Sequence, residues 1–523
     1  MSLETNRLLQ GNLGRGRPQP KRKSSLTFAL VLATIVACLG SIQFGYHIAE
    51  LNAPQQNIMC PHVEPVHPPN ATTASTLLFE SILPHMHDLK HCIPVNDRQY
   101  GLITAMFSVG GLIGSLFTGK LSNRYGRKPV GIMACIVALC GSLALTYSNS
   151  YHQMLFARFI IGLAAGSSIV ITPLYINEIS PVEWRGTLGS MNQLSINLGI
   201  LLTQSVAIKY ATETRWRFIL LLGAMLATLN LLGWFFVYES PKWMVIHSLD
   251  RAGAERALYH LRSDKYRAIK DEIQEWENDH RDSLLLAGPS SAMAITNSSS
   301  EQAPTVQQQH QRLSSLSMKT YITDPKYKQP RNVITALLMG QQFVGINSII
   351  FYGVRVVSQL LPKQAILVNF GISIINVLVT LLSSLVVEDF GRKPLLIGSV
   401  FAMSISAFFI SLAIKFLWAK FLVGSIFVYV ASFAIGIGPI PFLIIGELSS
   451  PESTAVAQSY GTVCNWLATF LIGYLFPILN GYMGGYTFML FSVFGLMFTS
   501  YIRNRVPETK GKVNYNDVWR GYT

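Results

Sequence analysis

The chain has 523 residues, of which half are hydrophobic and only 13% are charged, and its mean hydropathy is +0.35. Soluble domains carry about a quarter charged residues, so much of this chain's surface is expected to face lipid. The net charge of +14 does not indicate nucleic-acid binding, because the basic residues occupy short segments between apolar blocks. No P-loop, metal-ligand spacing or nucleophile elbow supports an enzyme, and no cofactor is expected.

Apolar blocks of about 20 residues, the length that crosses roughly 30 Å of hydrocarbon, recur along the chain. They predict an all-α membrane protein with twelve transmembrane helices in two six-helix bundles. The first six lie near residues 28–50, 99–119, 130–148, 153–175, 187–208 and 217–237. The second six lie near residues 333–358, 365–387, 394–414, 420–446, 456–479 and 485–502. The predicted divisions are a tail 1–27, a bundle 28–237, a linker 238–330, a bundle 331–502 and a tail 503–523.

Basic residues indicate how the spans are oriented. Lys21, Arg22 and Lys23 precede the first span, and further basic residues follow the second and the last spans. Cytoplasmic segments carry the excess of Lys and Arg. Both termini are therefore expected in the cytoplasm, and residues 55–98 outside the cell or in a lumen.

The loop of residues 55–98 carries two features that suit such a compartment. Cys60 and Cys92 both lie in it, so a disulfide between them is expected where the compartment is oxidising. Asn70 begins an Asn-Ala-Thr glycosylation sequon on the same side of the membrane.

The linker of residues 238–330 divides by composition. Residues 242–282 have helix-forming composition with charges on all sides, which predicts short cytoplasmic helices. Residues 283–318 are rich in Ser, Gln and Ala, which predicts disorder.

The two predicted bundles repeat each other's signatures at a separation of 265 to 269 residues. The matched pairs are Asn123–Pro129 with Glu388–Pro394, Glu178 with Glu447, and Glu239 with Glu508. Such a repeat indicates a duplicated six-helix unit. A parallel duplication with a site between the halves is an architecture of transporters.

Arginines and carboxylates at the matched cytoplasmic positions predict a charge network that ties helix ends together. An alternative is that the basic residues only anchor the topology. Carboxylates recurring at matched positions favour the network, because they would otherwise lie beside lipid. Its predicted members are Arg124, Arg127, Glu178, Arg185, Glu239, Glu388, Arg392 and Glu447.

An ordered set of motifs runs through both bundles. They are Gln43–Tyr46, Pro173–Glu178, Glu239–Lys242, Gln341–Asn347, Gly436–Pro441 and Val506–Gly511. In this combination the chain resembles the sugar porter family of the major facilitator superfamily, in the manner of its glucose facilitators. The resemblance extends over about residues 28–510, apart from the linker.

The resemblance implies two bundles around a central cavity that opens alternately to each side. The residues it implies as sugar contacts are Gln193, Gln341, Gln342, Asn347, Asn376, Asn465 and Trp466. The chemistry fits, because amides both donate to and accept from hydroxyl groups, and an indole covers the C–H face of a sugar ring. Phe351 and Tyr352 would be aromatic residues of an outer gate, and packing against lipid is the alternative.

Glycine and proline predict breaks in three spans, a sign of a mobile central site. The positions are Gly40, Gly45 and Pro54 in the first span, Gly340, Gly345 and Gly353 in the seventh, and Gly436, Gly438, Pro439 and Pro441 in the tenth.

Four positions depart from the glucose-transporting pattern. They are the segment 338–340 (Leu-Met-Gly), Phe442, Thr454 and Thr469. A hexose is therefore the leading solute, and a pentose, a polyol or an inositol is an alternative.

His47 bears on the mode of transport. In proton-coupled members the corresponding residue tends to be an aspartate that faces the fourth-helix arginine, here Arg158. A histidine near an arginine is expected to be neutral. Facilitated diffusion is therefore favoured, with proton coupling through His47 and Arg158 as the alternative.

The N-terminal tail carries Glu4 followed by Leu8 and Leu9, the form of an acidic dileucine signal read by clathrin-adaptor complexes. It favours the vacuolar or lysosomal membrane over the plasma membrane. A sugar sensor that does not transport is a further alternative. The short tail of residues 503–523 argues against it, because sensors of that kind carry long cytoplasmic tails.

Overall fold

The computed structural model describes residues 26–60, 89–181, 183–262, 269–278, 317–450, 453–512 and 515–520, and only the backbone of residues 384–389 and 516. The predicted glycosylation site at Asn70 and the dileucine signal at Glu4, Leu8 and Leu9 lie outside these residues. So does nearly all of the segment predicted to be disordered, 283–318.

Among the residues that the structure describes, twelve long helical segments follow one another as the apolar blocks predict. The first half contains α1 (Phe28–Ala49), α2 (Asp97–Tyr125), α3 (Arg127–Thr146), α4 (Tyr151–Ile179), α5 (Arg185–Tyr210) and α6 (Trp216–Phe235). The second half contains α7a (Lys328–Phe343), α7b (Ile346–Ser358), α8 (Ala365–Phe390), α9 (Arg392–Lys415), α10a (Ala419–Ile435), α10b (Ile440–Leu448), α11 (Thr454–Met483) and α12 (Tyr486–Arg505).

Ten of these twelve, among the described residues, are long and apolar enough to cross a membrane. The other two are α5 and α12. On α5 the hydropathy is lowered by Gln193, Asn197 and Gln204, of which the last two are buried. Amides at spanning depth are costly next to lipid, so this helix is expected to turn them towards the protein interior.

The predicted interruption of the first span is wrong at Gly40 and Gly45, whereas Pro54 lies after the end of α1 and just before a short helix, Gln55–Ile58. α1 runs without a break from Phe28 to Ala49, through both Gly40 and Gly45. A Cβ on Gly45 would lie 1.9 Å from the Ile196 carbonyl oxygen. This glycine therefore lets the backbones of α1 and α5 approach closely, which is a packing role and not a hinge.

The seventh and tenth spans are broken, as predicted. α7a ends at Phe343, and Gly345 takes the left-handed conformation with φ of +94° before α7b begins. α10a ends at Ile435, and Pro439 lies just before the start of α10b. Glycine adopts the first conformation without steric cost, and proline is tolerated in the first turn of a helix.

The helices pack as two bundles that meet mainly along two pairs of elements. Within the first half, α2 packs on α4 and α1 packs on α5. Within the second half, α9 packs on α12 and α10a. The larger contacts between the halves are those of α2 with α11 and of α5 with α8, and α7b also contacts α1.

The two ends of the bundle are chemically different. At one end Cys60 and Cys92 form the expected disulfide, next to a backbone bridge between Met59 and Ile93. This end is called the disulfide end. At the opposite end lie Arg127 and Arg392, and it is called the basic end.

Short helices occupy the predicted linker at the basic end. They are Pro241–Trp243, Met244–Ser248, Arg251–Arg262, 269–278 and Met318–Thr323. Arg262 joins them to the first half, because its guanidinium donates to the carbonyls of Ile179 and Ser180 at 3.2 to 3.4 Å and pairs with Glu272.

Candidate functional site

The seventh-span amides form one connected cluster with Asn465. Gln342 Nε2 and Asn465 Nδ2 both donate to Gln341 Oε1, at 3.3 and 2.8 Å. Asn347 Nδ2 donates to Gln342 Oε1 at 2.5 Å. Gln341, Gln342 and Asn347 are buried, and Asn465 is partly buried. This group is called the amide cluster, and it brings together four of the predicted sugar contacts.

The amide cluster is joined to the break in the tenth span. Gln341 Nε2 donates to the carbonyls of Ile437 and Gly438 at 2.7 and 2.8 Å. These carbonyls lie between α10a and α10b, where the helix offers them no regular partner. Thr469, one of the departures from the family pattern, lies 3.5 Å from Asn347 Nδ2.

Trp466 lies against the first half of the protein. Its ring centroid is 6.0 Å from those of Phe44 on α1 and Phe107 on α2, in edge-on arrangements. A Cβ on Gly111 would lie 2.5 Å from Trp466 Cη2, so the indole fills the space over this glycine. In this state Trp466 fills the space between α11 and α2.

Asn376 and Gln193 lie on α8 and α5, two helices of different halves that pack on each other. Asn376 Nδ2 donates to Asn197 Oδ1 at 3.3 Å, and Asn197 Nδ2 donates to Thr380 Oγ1 at 2.7 Å. These bonds cross from α5 to α8 at the middle of the bundle. Gln193 lies one turn nearer the basic end on α5 and is partly exposed.

The predicted gate aromatics are both enclosed by protein. Phe351 and Tyr352 are 1% and 0% exposed, so the alternative of packing against lipid is wrong. Tyr352 donates to the Gly473 carbonyl at 2.7 Å and stacks on Phe476, both on α11. α7b is thereby fixed to α11 near the disulfide end.

His47 and Arg158 lie together, with a carboxylate that the sequence reasoning missed. Arg158 Nη1 lies 2.8 Å from Glu50 Oε1 and donates to the His47 carbonyl at 2.8 Å. His47 Nδ1 lies 2.9 Å from Glu50 Oε2. The guanidinium covers the Phe107 ring at 4.7 Å. Glu50 and Arg158 are 0% exposed and His47 is 1% exposed, so these three form a buried ionic cluster.

The signal for Glu50 was present in the sequence. It is an acidic residue three positions after His47, at the end of an apolar block, and this spacing places both on one helix face. Its partner Arg158 is 108 residues away, and only the packing of α4 on α1 joins the two.

The two halves are closed against each other at the disulfide end. Arg355 on α7b forms a two-bond ion pair with Asp97 at the start of α2, with N–O distances of 2.7 and 2.8 Å. Asn52 donates to the Ile350 carbonyl at 2.8 Å and accepts from the Val354 N–H at 3.0 Å.

The charge network at the basic end contains matching contacts within each half. Arg127 pairs with Glu178 through two bonds of 2.7 and 2.8 Å, and the backbone N–H groups of Arg127 and Lys128 donate to Glu239. In the second half Arg392 pairs with Glu447 at 3.2 Å.

Glu508 is a member of this network that the prediction left out. It accepts from the backbone N–H groups of Arg392 and Lys393, both at 3.1 Å, as Glu239 does in the first half. Arg124 and Arg185 are exposed at the basic end. The side chain of Glu388 lies outside the described part of the chain.

A family model described as "Sugar (and other) transporter" matches residues 33–515. The chain belongs to this family of sugar transporters. A probable metabolite transport protein of Saccharomyces cerevisiae is 50% identical over 99% of the chain and 100% of its own length. Vacuolar protein sorting-associated protein 73 of the same yeast is 40% identical over 94% of the chain and 96% of its own length. Facilitated glucose transporter member 3 of Gallus gallus is 30% identical over 96% of the chain and 93% of its own length.

The fold of this sugar transporter is also that of a solved transporter. The xylose transporter XylE of E. coli, in a partially occluded inward open conformation, matches with a TM-score of 0.70 at 22% identity. The match covers 93% of this chain and 100% of the other. The predicted family, the twelve-helix fold and the transport of sugar across a membrane are confirmed, and the protein is not an enzyme.

The matched carboxylates of the transporter's basic end lie outside the spanning helices and differ in their environment. Burial raises the pKa of Glu239 and outweighs the backbone N–H groups of Ser240, Arg127 and Lys128, which lower it. Burial also acts to raise the pKa of Glu508. There the four backbone N–H donors outweigh it, and the pKa is lowered.

We expect Glu508→Gln and Glu239→Gln to change stability with opposite pH dependence. The lowered pKa of Glu508 gives stability above the ordinary value of 4.5 that is lost as the pH falls through the lowered pKa. The raised pKa of Glu239 gives stability below 4.5 that is lost as the pH rises through the raised pKa.

The measurement is the apparent Tm of purified wild type and variants between about pH 8 and pH 3, so that the scan extends below the ordinary pKa of a glutamate. The Tm deficit of Glu508→Gln should shrink towards acid pH, and that of Glu239→Gln should grow. Glu213→Gln, at an exposed position, is the control for general pH effects. Deficits that change in the same direction for both variants would contradict the assignment.

Proposed function

We propose that this sugar transporter carries a neutral sugar or polyol by alternating access, through facilitated diffusion. The observation that supports this most is the bond from Gln341 to the Ile437 and Gly438 carbonyls. A solute hydroxyl that replaces a partner of Gln341 would act directly on the break between α10a and α10b. Binding would thus favour one arrangement of a helix that is already divided.

The disulfide end is proposed to face the outside or a lumen, as the distribution of basic residues suggests. The ion pair of Asp97 with Arg355 and the bonds of Asn52 hold that end shut. The described conformation is then one that exchanges solute with the cytoplasm. Movement of the two halves about α5 and α8 would open the disulfide end.

We expect Gln341→Leu to reduce sugar flux by about 100-fold, because a buried amide that bonds several groups cannot be replaced by an alkyl chain. Gln458→Leu is the matched control, since Gln458 is exposed on α11. The measurement is uptake of labelled hexoses, pentoses, polyols and inositol into proteoliposomes. Absence of flux for every solute in the wild type would favour the sugar sensor instead.

Proton-coupled transport is the second candidate, and Glu50 is the observation that favours it. A carboxylate enclosed between His47 and Arg158 is a group that can take up and release a proton during transport. The tyrosines that face this cluster are Tyr46 on α1, Tyr100 on α2 and Tyr352 on α7b. Facilitated diffusion is favoured because Glu50 and Arg158 offset each other's charge, and His47 Nδ1 lies within hydrogen-bond distance of Glu50.

We expect the wild type to bring solute only to equal concentrations across a proteoliposome membrane, with or without an imposed pH gradient. The reason is that the charges of the ionic cluster are already paired. Glu50→Gln and His47→Asn are compared in the same assay and in exchange of labelled solute without a gradient. Accumulation by the wild type that Glu50→Gln abolishes, while exchange continues, would establish proton coupling.

The vacuolar or lysosomal membrane is the proposed location, with clathrin-adaptor complexes as partners of the N-terminal tail. The dileucine signal supports it, as does similarity to a yeast protein named for vacuolar protein sorting. We expect Leu8→Ala/Leu9→Ala to move a fluorescently tagged transporter from the vacuolar membrane to the cell surface. Leu3→Ala/Leu13→Ala in the same tail is the control. A wild type found at the surface would contradict the proposal.

A further inference from the structure

The disulfide joins two segments of the first half that lead into its closed contact with the second half. The first segment runs from the end of α1 to Cys60 and includes the short helix Gln55–Ile58. The second segment leads through Cys92 to Asp97, the first residue of α2. The disulfide therefore connects the end of α1 with the beginning of α2.

Three side chains on these two segments contact α7b of the second half. Asn52 bonds the backbone of α7b, and Asp97 forms the ion pair with Arg355. Gln56, on the short helix, adds a third contact, because its Nε2 lies 3.4 Å from Ser358 Oγ. Two of these side chains precede one cysteine and the third follows the other. The disulfide thus ties together the parts of the first half that close this end.

The second segment is held in place by buried side chains of α6. Arg217 donates to the Lys90 carbonyl at 2.9 Å and to the Thr146 carbonyl, at the end of α3, at 2.6 Å. Trp216 Nε1 donates to the His91 carbonyl at 2.8 Å. Trp216 and Arg217 are both buried, so water does not compete for these bonds. The second segment is therefore fixed to the first half by contacts that do not involve the disulfide.

The first segment depends more on the disulfide. Its short helix has four residues, too few to be stable without other contacts. The Ile93 N–H donates to the Ile58 carbonyl at 2.8 Å, and the Cys60 N–H donates to the Ile93 carbonyl at 3.4 Å. Asn57 Nδ2 donates to the Ala211 carbonyl at 2.9 Å. The disulfide is the covalent link among these contacts, and it limits how far the short helix moves from the second segment.

The disulfide is accessible to reductants. Cys60 and Cys92 are both partly exposed, at the end proposed to face the outside or a lumen. Disulfides that solvent reaches exchange with soluble thiols. One thiol attacks a sulfur of the disulfide and forms a mixed disulfide, and a second thiol then releases the protein sulfur. The two protons and two electrons of the soluble thiols end on the protein cysteines, and the soluble thiols are oxidised to their own disulfide.

We propose that the disulfide between Cys60 and Cys92 is a redox switch that sets how firmly the disulfide end of the transporter is closed. In the oxidised form Asn52, Gln56 and Asp97 act on α7b as one surface, because contacts that are linked to one another must break together. In the reduced form they break one at a time, and this end opens more often. The switch rests on the proposed alternating access and adds to it a control by the compartment at the disulfide end.

The test uses the full-length transporter in proteoliposomes that display the disulfide end outwards. Ser373→Cys is the reporter, because Ser373 is buried on α8 and lines a narrow cavity together with Asn52. A membrane-impermeant maleimide added outside reaches this position only when the disulfide end opens. Its rate of labelling is measured by peptide mass spectrometry in the oxidised protein and after reduction with external glutathione. Exchange of labelled solute is measured in the same proteoliposomes.

We expect glutathione to raise the labelling rate about ten-fold, because the contacts with α7b no longer break together. Oxidised glutathione should restore the original rate. Cys60→Ser/Cys92→Ser should show the raised rate without a reductant and should not respond to one. Cys140→Ser removes an exposed cysteine of α3 that forms no disulfide, and this matched control should respond as the reporter protein does.

An unchanged or lower labelling rate, in protein whose disulfide is shown by mass spectrometry to be reduced, would overturn the switch. A raised rate with a loss of solute exchange and a broadened thermal transition would show that the disulfide only supports the fold, and would overturn it as well. If Cys60→Ser/Cys92→Ser does not fold, the reversible reduction of the reporter protein decides alone.

Failure of the proposed function would look different. A wild type that carries no solute, with a reporter that is labelled in neither redox form, overturns both alternating access and the switch. A wild type that carries solute, with labelling of the reporter that does not depend on the redox form, overturns the switch alone.

Discussion

The first half depends on the pairing of Arg158 with Glu50. The guanidinium is fully enclosed, 2.8 Å from the carboxylate and 4.7 Å from the Phe107 ring. A charge at this depth is tolerated only with a partner, and removing one partner of such a pair costs about 3–5 kcal/mol. Because α4 supplies the cation, α1 the anion and α2 the ring, these helices cannot separate without exposing a charge. These three helices of the first half are therefore constrained to move together.

The duplicated halves share their framework at the basic end but not their electrostatics. Glu239 and Glu508 cap the helices that begin at Arg127 and Arg392, and each accepts from the backbone N–H groups of the first two residues of its helix. Burial dominates at Glu239 and hydrogen bonding dominates at Glu508, so their pKa values move in opposite directions. The repeated sequence signature thus preserves the geometry of this contact. The surroundings of each carboxylate determine the direction in which its pKa is shifted.

How well the sequence predicts a feature depends on how much of the chain determines that feature. Span positions depend on about 20 neighbouring residues, and the breaks at Gly345 and Pro439 depend on local backbone preference. Gly45 has the same local signal, yet its role depends on the Ile196 carbonyl of another helix. The partnership of Glu50 is likewise fixed only when α1 and α4 pack. Long-range contacts of this kind leave no pattern in a single sequence.

The polar contacts that must break during transport are weaker than the polar contacts that stay intact. The charges of the ionic cluster lie within one half, where their separation would be costly and is not needed. The contacts between halves at the disulfide end are weaker: the pair of Asp97 with Arg355 is 44% and 25% exposed, and such pairs contribute about 0–1 kcal/mol. The bonds of Asn52 add about 1 kcal/mol each. A solute can shift an equilibrium only by the difference between its affinities for the two states. The contacts that close the disulfide end contribute a few kcal/mol, so solute binding can reverse this closure.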